Sequence, residues 1–301
     1  MSKPINESKL TIQLEVVTEL WIRAHRRPHD FYLEFAELLT ELDQVYIRSY
    51  DYFGYINAWC NWLEENDIAG LRLDELIEEL KRKSFAEYQR YFKSYQSEHR
   101  SALRRHRDNE TRNIRSLERK ARSAVERYSK TEVVRIDLGY IKENQHLIGI
   151  ADFYEDMKEL RAQMSKREKP FNDLIDFGWA LEQGVDKGYH CHLVLFFNGH
   201  VKQDGWGIAH QVGKEWKKIT GKLGSFFNCH DPEQIQEYTE LGILGIGRIH
   251  RNNPTEVEKM INAVRYLVRP EKDAQHLRVK CKAKMRTFQL FENNLRYTLS
   301  R

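Results

Sequence analysis

The rhythm of apolar and polar positions changes near residue 130. Before it, apolar residues recur three and four apart, as in "FYLEFAELLTELDQVY" (31–46) and "LDELIEELKRKSFAEYQRYF" (73–92), the spacing that lines one face of a helix. After it, two-residue alternation takes over in stretches. "TEVVRIDLGY" (131–140) predicts a strand, "ADFYEDMKELRAQMSK" (151–166) a helix, "FGWALE" (177–182) and "YHCHLVLFF" (189–197) two strands around the turn "QGVDKG" (183–188), and "IAHQVGKEWKKIT" (208–220) a helix. A further strand is expected in "GILGIGRIH" (242–250). The last expected helix, 256–268, is opened by Pro254 and Thr255 with Glu258 as a capping box and stopped by Pro270. Glycine usage marks the same boundary, since only Gly54 and Gly70 of the 16 glycines precede it and glycine punctuates turns and strand ends. The expectation is an α-helical region over 1–130, then an α+β domain over 131–301. Its β-α-β-β-α-β order suggests a ferredoxin-like sandwich with a central antiparallel sheet.

Strand alternation gives Tyr189, Cys191, Leu193, Leu195 and Phe197 one face, suited to a core, and leaves His190 and His192 side by side on the other, followed by Val194 and Phe196. In the preceding strand Phe177, Trp179 and Leu181 take the core parity, and Glu182 shares the parity of the histidines. A hairpin turn centred near Asp186 sets Glu182 opposite His190, within about 5.5 Å. Two imidazoles and one carboxylate, with coordination positions left over for water and substrate oxygens, suit a divalent ion such as Mn²⁺ or Mg²⁺, and zinc is chemically compatible. The competing expectation is two histidines on a solvated strand face away from the core. Arg135 and Asp137 stand opposite the apolar row Val134, Ile136, Leu138 and Tyr140; they border the same site or form an ordinary surface salt bridge.

In the last helix, Val257, Met260, Ile261, Val264, Leu267 and Val268 fall in one stripe. Tyr266 lies on the opposite, polar side with Lys259 and Asn262, flanked by Arg265 and Arg269. A tyrosine so placed is either an exposed ring or a group with chemistry to perform.

Composition changes this picture little, and charge distribution changes it more. The net charge is +4 and the pI about 8.7, which permits a polyanionic partner without requiring one. Residues 99–130, however, carry eleven Lys or Arg against four acids. That stretch, with Arg104, Arg105 and Arg107, is either a phosphate-gripping helix or a solvated one laced with i,i+4 pairs. The opening "MSKPINESKL" lacks the apolar core of a secretory signal, no run of about 18 uncharged apolar residues occurs, and the four cysteines are scattered without a C-x-x-C pair. A cytoplasmic protein is the expectation.

A His-x-His strand, an acidic partner and a tyrosine on the polar side of a later helix together resemble the HUH endonuclease superfamily. More narrowly, "RIDLGY", "WALEQGVDKGYHCHLVLFF", "GILGIGRIHRN" and "AVRYLVR" resemble the YagK/YfjJ C-terminal-domain family of inovirus-type replication proteins from phages and satellites, over about residues 130–295. Two positions depart from the superfamily pattern: Cys191 stands between the histidines where a bulkier residue is common, and Arg269 takes the place of the lysine in Tyr-x-x-Lys. The resemblance implies a metal-dependent nicking enzyme of single-stranded origin DNA with Tyr266 as nucleophile, a covalent 5′-phosphotyrosine and a free 3′-OH that primes rolling-circle replication. Arg135, Arg265, Arg269, Arg104, Arg105 and Arg107 are its candidate DNA-binding cations. Because no G-x-x-x-x-G-K-[ST] loop occurs, unwinding would fall to a host helicase. A relaxase- or transposase-type strand transferase, a non-cutting DNA-binding regulator and a hydrolase using bound water are the alternatives.

Overall fold

The computed structural model describes residues 4–68, 70–268 and 275–290. In chain order it contains α1 (Glu7–Arg23), α2 (Phe31–Val45), β1 (Asp51–Tyr52), α3 (Tyr55–Glu65), α4 (Leu73–Leu80), α5 (Phe85–Ser94) and the long α6 (Gln96–Arg127). These are followed by β2 (Lys130–Tyr140), α7 (Ile150–Lys166), β3 (Leu174–Gly184), β4 (Gly188–Asn198), α8 (Gly205–Ile219), β5 (Gly224–Asn228), α9 (Pro232–Glu240), β6 (Gly247–His250) and α10 (Pro254–Arg265). A 3₁₀ turn over Tyr266–Val268 continues α10, and two short strands, β7 (Val279–Lys280) and β8 (Phe288–Leu290), close the described chain.

β1 pairs with β7, while the main sheet runs β5-β2-β4-β3-β8 with β6 also on β2, and every pairing in it is antiparallel. The protein is thus mixed α/β. The fourth strand of the β-α-β-β-α-β series is β5, not the expected 242–250, which is strand only from Gly247 and pairs with the start of β2. Five residues are too few to display alternation, which hid β5. At 242–250, Gly242 and Gly247 have φ of +68° and +85°, and Gly245 lies so close to the Lys259 carbonyl that a Cβ would stand 2.1 Å away. That stretch therefore turns before it pairs.

The cap of α10 also differs from expectation. Asn253 is the N-cap, its side chain accepting from Glu256 N at 3.3 Å, and Glu256 accepts from His250 N at 2.7 Å. Glu258 instead pairs with Arg122 at 3.0 Å. Pro270 and Arg269 lie outside the described residues.

Both faces of the sheet are buried. The core parity of β2, β3 and β4 packs against α7, α8 and the N-terminal helices in one continuous cluster that reaches from Trp21, Phe35 and Trp59 to Trp179 and Trp216. The opposite face, expected to lie outside the core, carries a second cluster: Val194 and Phe196 meet Leu117, Ala121, Ala124 and Val125 of α6 and Met260, Ile261 and Val264 of α10. The physical reason is α6, whose inward stripe is small and apolar beneath an otherwise charged surface. Two of its charges face inward as well, since Lys120 stands 2.9 Å and Arg127 3.7 Å from Asp176, a fully buried carboxylate. Among the described residues no helix is long and apolar enough to cross a membrane.

Candidate metal centre

The β3–β4 hairpin builds the site. Gly184 pairs with Gly188, leaving Val185, Asp186 and Lys187 as a three-residue loop, and Gly188 takes the left-handed φ of +61° that such a loop requires. Gln145 Nε2 donates to the Asp186 carbonyl at 3.1 Å and pins the loop. The register that follows sets Glu182 opposite His190 and Ala180 opposite His192, as the alternation predicted.

All three side chains are buried, at 6%, 3% and 1% exposure for Glu182, His190 and His192. His190 Nδ1 is 3.0 Å from the Gly188 carbonyl, which accepts its proton. His192 Nδ1 is 2.6 Å from Asp137 Oδ1. Each imidazole is thereby oriented from behind, and both Nε2 atoms turn to the same oxygen: Glu182 Oε2 lies 3.1 Å from His192 Nε2 and 3.4 Å from His190 Nε2. Ligand atoms of the three lie within 4.8 Å of one another, and His190 Nε2, though buried, has no hydrogen-bond partner among the described residues. An orphaned imidazole nitrogen converging with a second imidazole and a carboxylate is the donor set a metal ion accepts. Asp137 behind His192 and the Gly188 carbonyl behind His190 fix the two imidazoles as supporting partners of metal-binding histidines do.

Charge is concentrated here. Burial alone would lower the His192 pKa, but Asp137 and then Glu182 outweigh it and raise it. Burial would likewise raise the Asp137 carboxyl, yet His192, Arg135 and Lys187 hold it well below the usual carboxylate range. A metal ion held there would compete with the proton for His192.

Tyr266 follows α10 immediately and is 38% exposed. Its ring lies under the Arg135 guanidinium, 4.7 Å from centroid to Cζ. Arg135 Nη2 is in turn 3.8 Å from Asp137 Oδ1. The chain of contact runs Tyr266, Arg135, Asp137, His192, so the tyrosine and the candidate ligands, far apart in sequence, share one neighbourhood. Arg135 is only 11% exposed in its side chain, and its backbone N–H donates to His230 Nε2 at 3.2 Å. Burial pushes His230 down to about 4, which keeps that nitrogen an acceptor.

The remaining predicted cations fall in different settings. Arg265 is tied to Glu118 of α6 and to Asn262, so it joins α10 to α6. Arg104, Arg105 and Arg107 are exposed on α6, and Arg105 lines a cavity of about 340 Å³ that Glu182 also borders. Asp137, which sequence placed on the right face, acquires its role from a 2.6 Å contact 55 positions away. Lys187, Ser225 and Phe227, which line a groove beside His190, were not singled out: Lys187 lies in the hairpin loop, and no periodicity marks β5, which holds the other two.

Fold and site together define a mixed α/β protein with a buried Glu-His-His group that could hold a metal ion. The chain matches the YagK/YfjJ C-terminal domain over residues 92–281 and belongs to that family. No curated protein and no solved structure matches it.

Proposed function

We propose that this chain is a metal-dependent single-stranded DNA endonuclease of the HUH type, acting as the rolling-circle replication initiator of a phage, prophage or satellite element in the cytoplasm of its bacterial host. The observation that carries the proposal is the convergence of both Nε2 atoms on Glu182 Oε2, with Tyr266 joined to that group through Arg135 and Asp137. The strand order β5-β2-β4-β3, built from a β-α-β-β-α-β series, supports a ferredoxin-like domain beneath it.

Glu182, His190 and His192 would hold Mg²⁺ or Mn²⁺. Such an ion would polarise the scissile phosphate and offset its developing charge. The Tyr266 oxygen attacks phosphorus, the new O–P bond replaces the P–O3′ bond, and the phenol proton leaves to solvent while the 3′ oxygen gains one. The products are a 5′-phosphotyrosine and a free 3′-OH, and later attack by a 3′-OH reverses the exchange without ATP. Arg135, over the ring, holds the tyrosine in place. Single-stranded origin DNA is the substrate, and a host helicase and polymerase are the partners that exploit the free end.

The test is incubation of labelled single-stranded DNA with the protein and Mn²⁺, resolved on a denaturing gel. A protein-linked species is expected, absent in Tyr266→Phe and in His192→Ala. Cleavage without linkage would instead favour a hydrolase using bound water, and binding without cleavage a regulator. Extension of the 3′ end in a host extract separates an initiator from a relaxase or transposase.

A further inference from the structure

On the sheet face that carries the histidines, α6 and α10 pack over Val194 and Phe196 of β4, while Phe227 of the edge strand β5 stays exposed. In β5, Phe226 turns inward, packed so closely on Gly213 that a Cβ there would stand 2.4 Å from the ring. Phe227 turns outward and is 45% exposed. Its register partner is Asp137, and Asp137 is the register partner of His192, so Phe227, Asp137 and His192 stand in one row on one face. Two strand spacings, about 10 Å, separate the ring from the candidate metal ligand.

The next row along is just as specific. Ser225 pairs with Gly139, and a Cβ on Gly139 would stand 3.6 Å from His190 Cβ and 3.9 Å from Ser225 Oγ. A side chain there would project between them and narrow the groove. Its absence leaves a groove of about 370 Å³ floored by Gly139 and walled by Asp137, Lys187, His190, Ser225 and Phe227. Lys142 also lines it, and like Lys187 it is exposed. A single exposed phenylalanine is ordinary. One on the metal-facing side of an edge strand, beside a glycine-floored groove that ends on His190 and is lined by Lys142 and Lys187 as well as by Asp137 and Asp186, with Lys187 Nζ 3.7 Å from Asp137 Oδ2, has the elements of a nucleotide site: a flat apolar surface for a base, and cations that can turn to its phosphates.

We infer that this groove is a base-stacking subsite for single-stranded DNA, with Phe227 as the stacking platform and Lys142 and Lys187 as phosphate contacts next to the metal centre. It rests on the nuclease function proposed above. Stacking tolerates every base because each has a π-face, so the subsite seats the strand and leaves sequence choice to other residues.

The test separates base from backbone by measuring anisotropy of an end-labelled thymidine oligonucleotide and of an abasic oligonucleotide of equal length, in Mn²⁺ at fixed salt. Phe227→Ala should weaken binding of the thymidine strand by about 5- to 150-fold and leave the abasic strand and Mn²⁺ affinity unchanged. Phe227→Tyr should restore tight binding, and Lys142→Ala should weaken both strands alike. Equal thymidine binding by wild type and Phe227→Ala overturns the subsite while the nuclease reading stands on its gel assay. Equal loss on both strands overturns it too, as a structural effect. Failure of the wild-type protein to bind either strand removes the subsite and the nuclease reading together.

Discussion

At the scale of single residues, Asp137 joins the two halves of the candidate chemistry. One carboxylate holds His192 by its Nδ1 and faces Arg135, which lies over Tyr266. Asp137→Asn keeps the shape and removes the charge, so Mn²⁺ affinity measured by titration calorimetry should fall about 10- to 100-fold, the usual effect of losing a supporting partner. Unchanged affinity would reduce Asp137 to packing. In the same way Arg135→Met keeps bulk over the Tyr266 ring without the cation; the rate of adduct formation should drop while Mn²⁺ affinity holds, and a parallel fall in both would refute a role confined to the tyrosine. Glu182, His190 and His192 were legible in the sequence because a short hairpin fixes its own register and alternation does the rest. Asp137 was legible only as to face, since its partner is set by which strand lies next to β2, a long-range choice that local pattern does not encode.

At the scale of elements, α6 divides its work along its length. Its first half offers Arg104, Arg105 and Arg107 at the surface, while its second half covers the sheet and sends Lys120 and Arg127 to the buried Asp176. Neutralising the three arginines should reduce the salt dependence of single-strand binding, the slope falling by about 0.7 for each phosphate that is no longer neutralised, with thermal stability unchanged. Lys120→Ala should do the reverse, leaving the salt slope alone and costing about 1–3 kcal/mol in chemical denaturation because a buried carboxylate loses its nearest partner. Identical behaviour of the two variants would mean that the helix has no such division. The same helix explains what the sequence concealed. Read alone, its charges describe a solvated rod, and the stripe of Leu117, Ala121, Ala124 and Val125 is too small to announce that a second core lies beneath it. β5 was missed for a related reason, because two adjacent phenylalanines between Gly224 and Asn228 give no alternation to read.

At the scale of the whole molecule, distant segments meet at a buried ionic group. Glu15 of α1 lies 3.1 Å from His276 Nε2 and 2.6 Å from Arg278 Nε, and His99 of α6 is buried beside it, 3.7 Å away. Burial would raise the Glu15 carboxyl, but His276 and Arg278 bring it down to about 2 from 4.5; this part of the stability is complete above pH 4.5 and is lost as pH falls toward 2. Burial lowers His99 from 6.5 to about 4, so its neutral form belongs to the fold, and the unfolded chain gains protons first as pH drops from 6.5 to 4. Both contributions have the same sign: denaturation midpoints should decline on acidification through both windows, and Glu15→Gln should flatten the lower one. An acid limb indistinguishable from wild type would assign the effect elsewhere. Because the aromatic residues of α1, α2 and α3 sit in the same apolar cluster as Trp179 and Trp216, neither end of the chain keeps a complete interior without the other. Heating should therefore melt helix signal and tryptophan environment together in a single cooperative transition, which makes any loosening of the N-terminal helices a loosening of the hairpin that carries Glu182 and the two histidines.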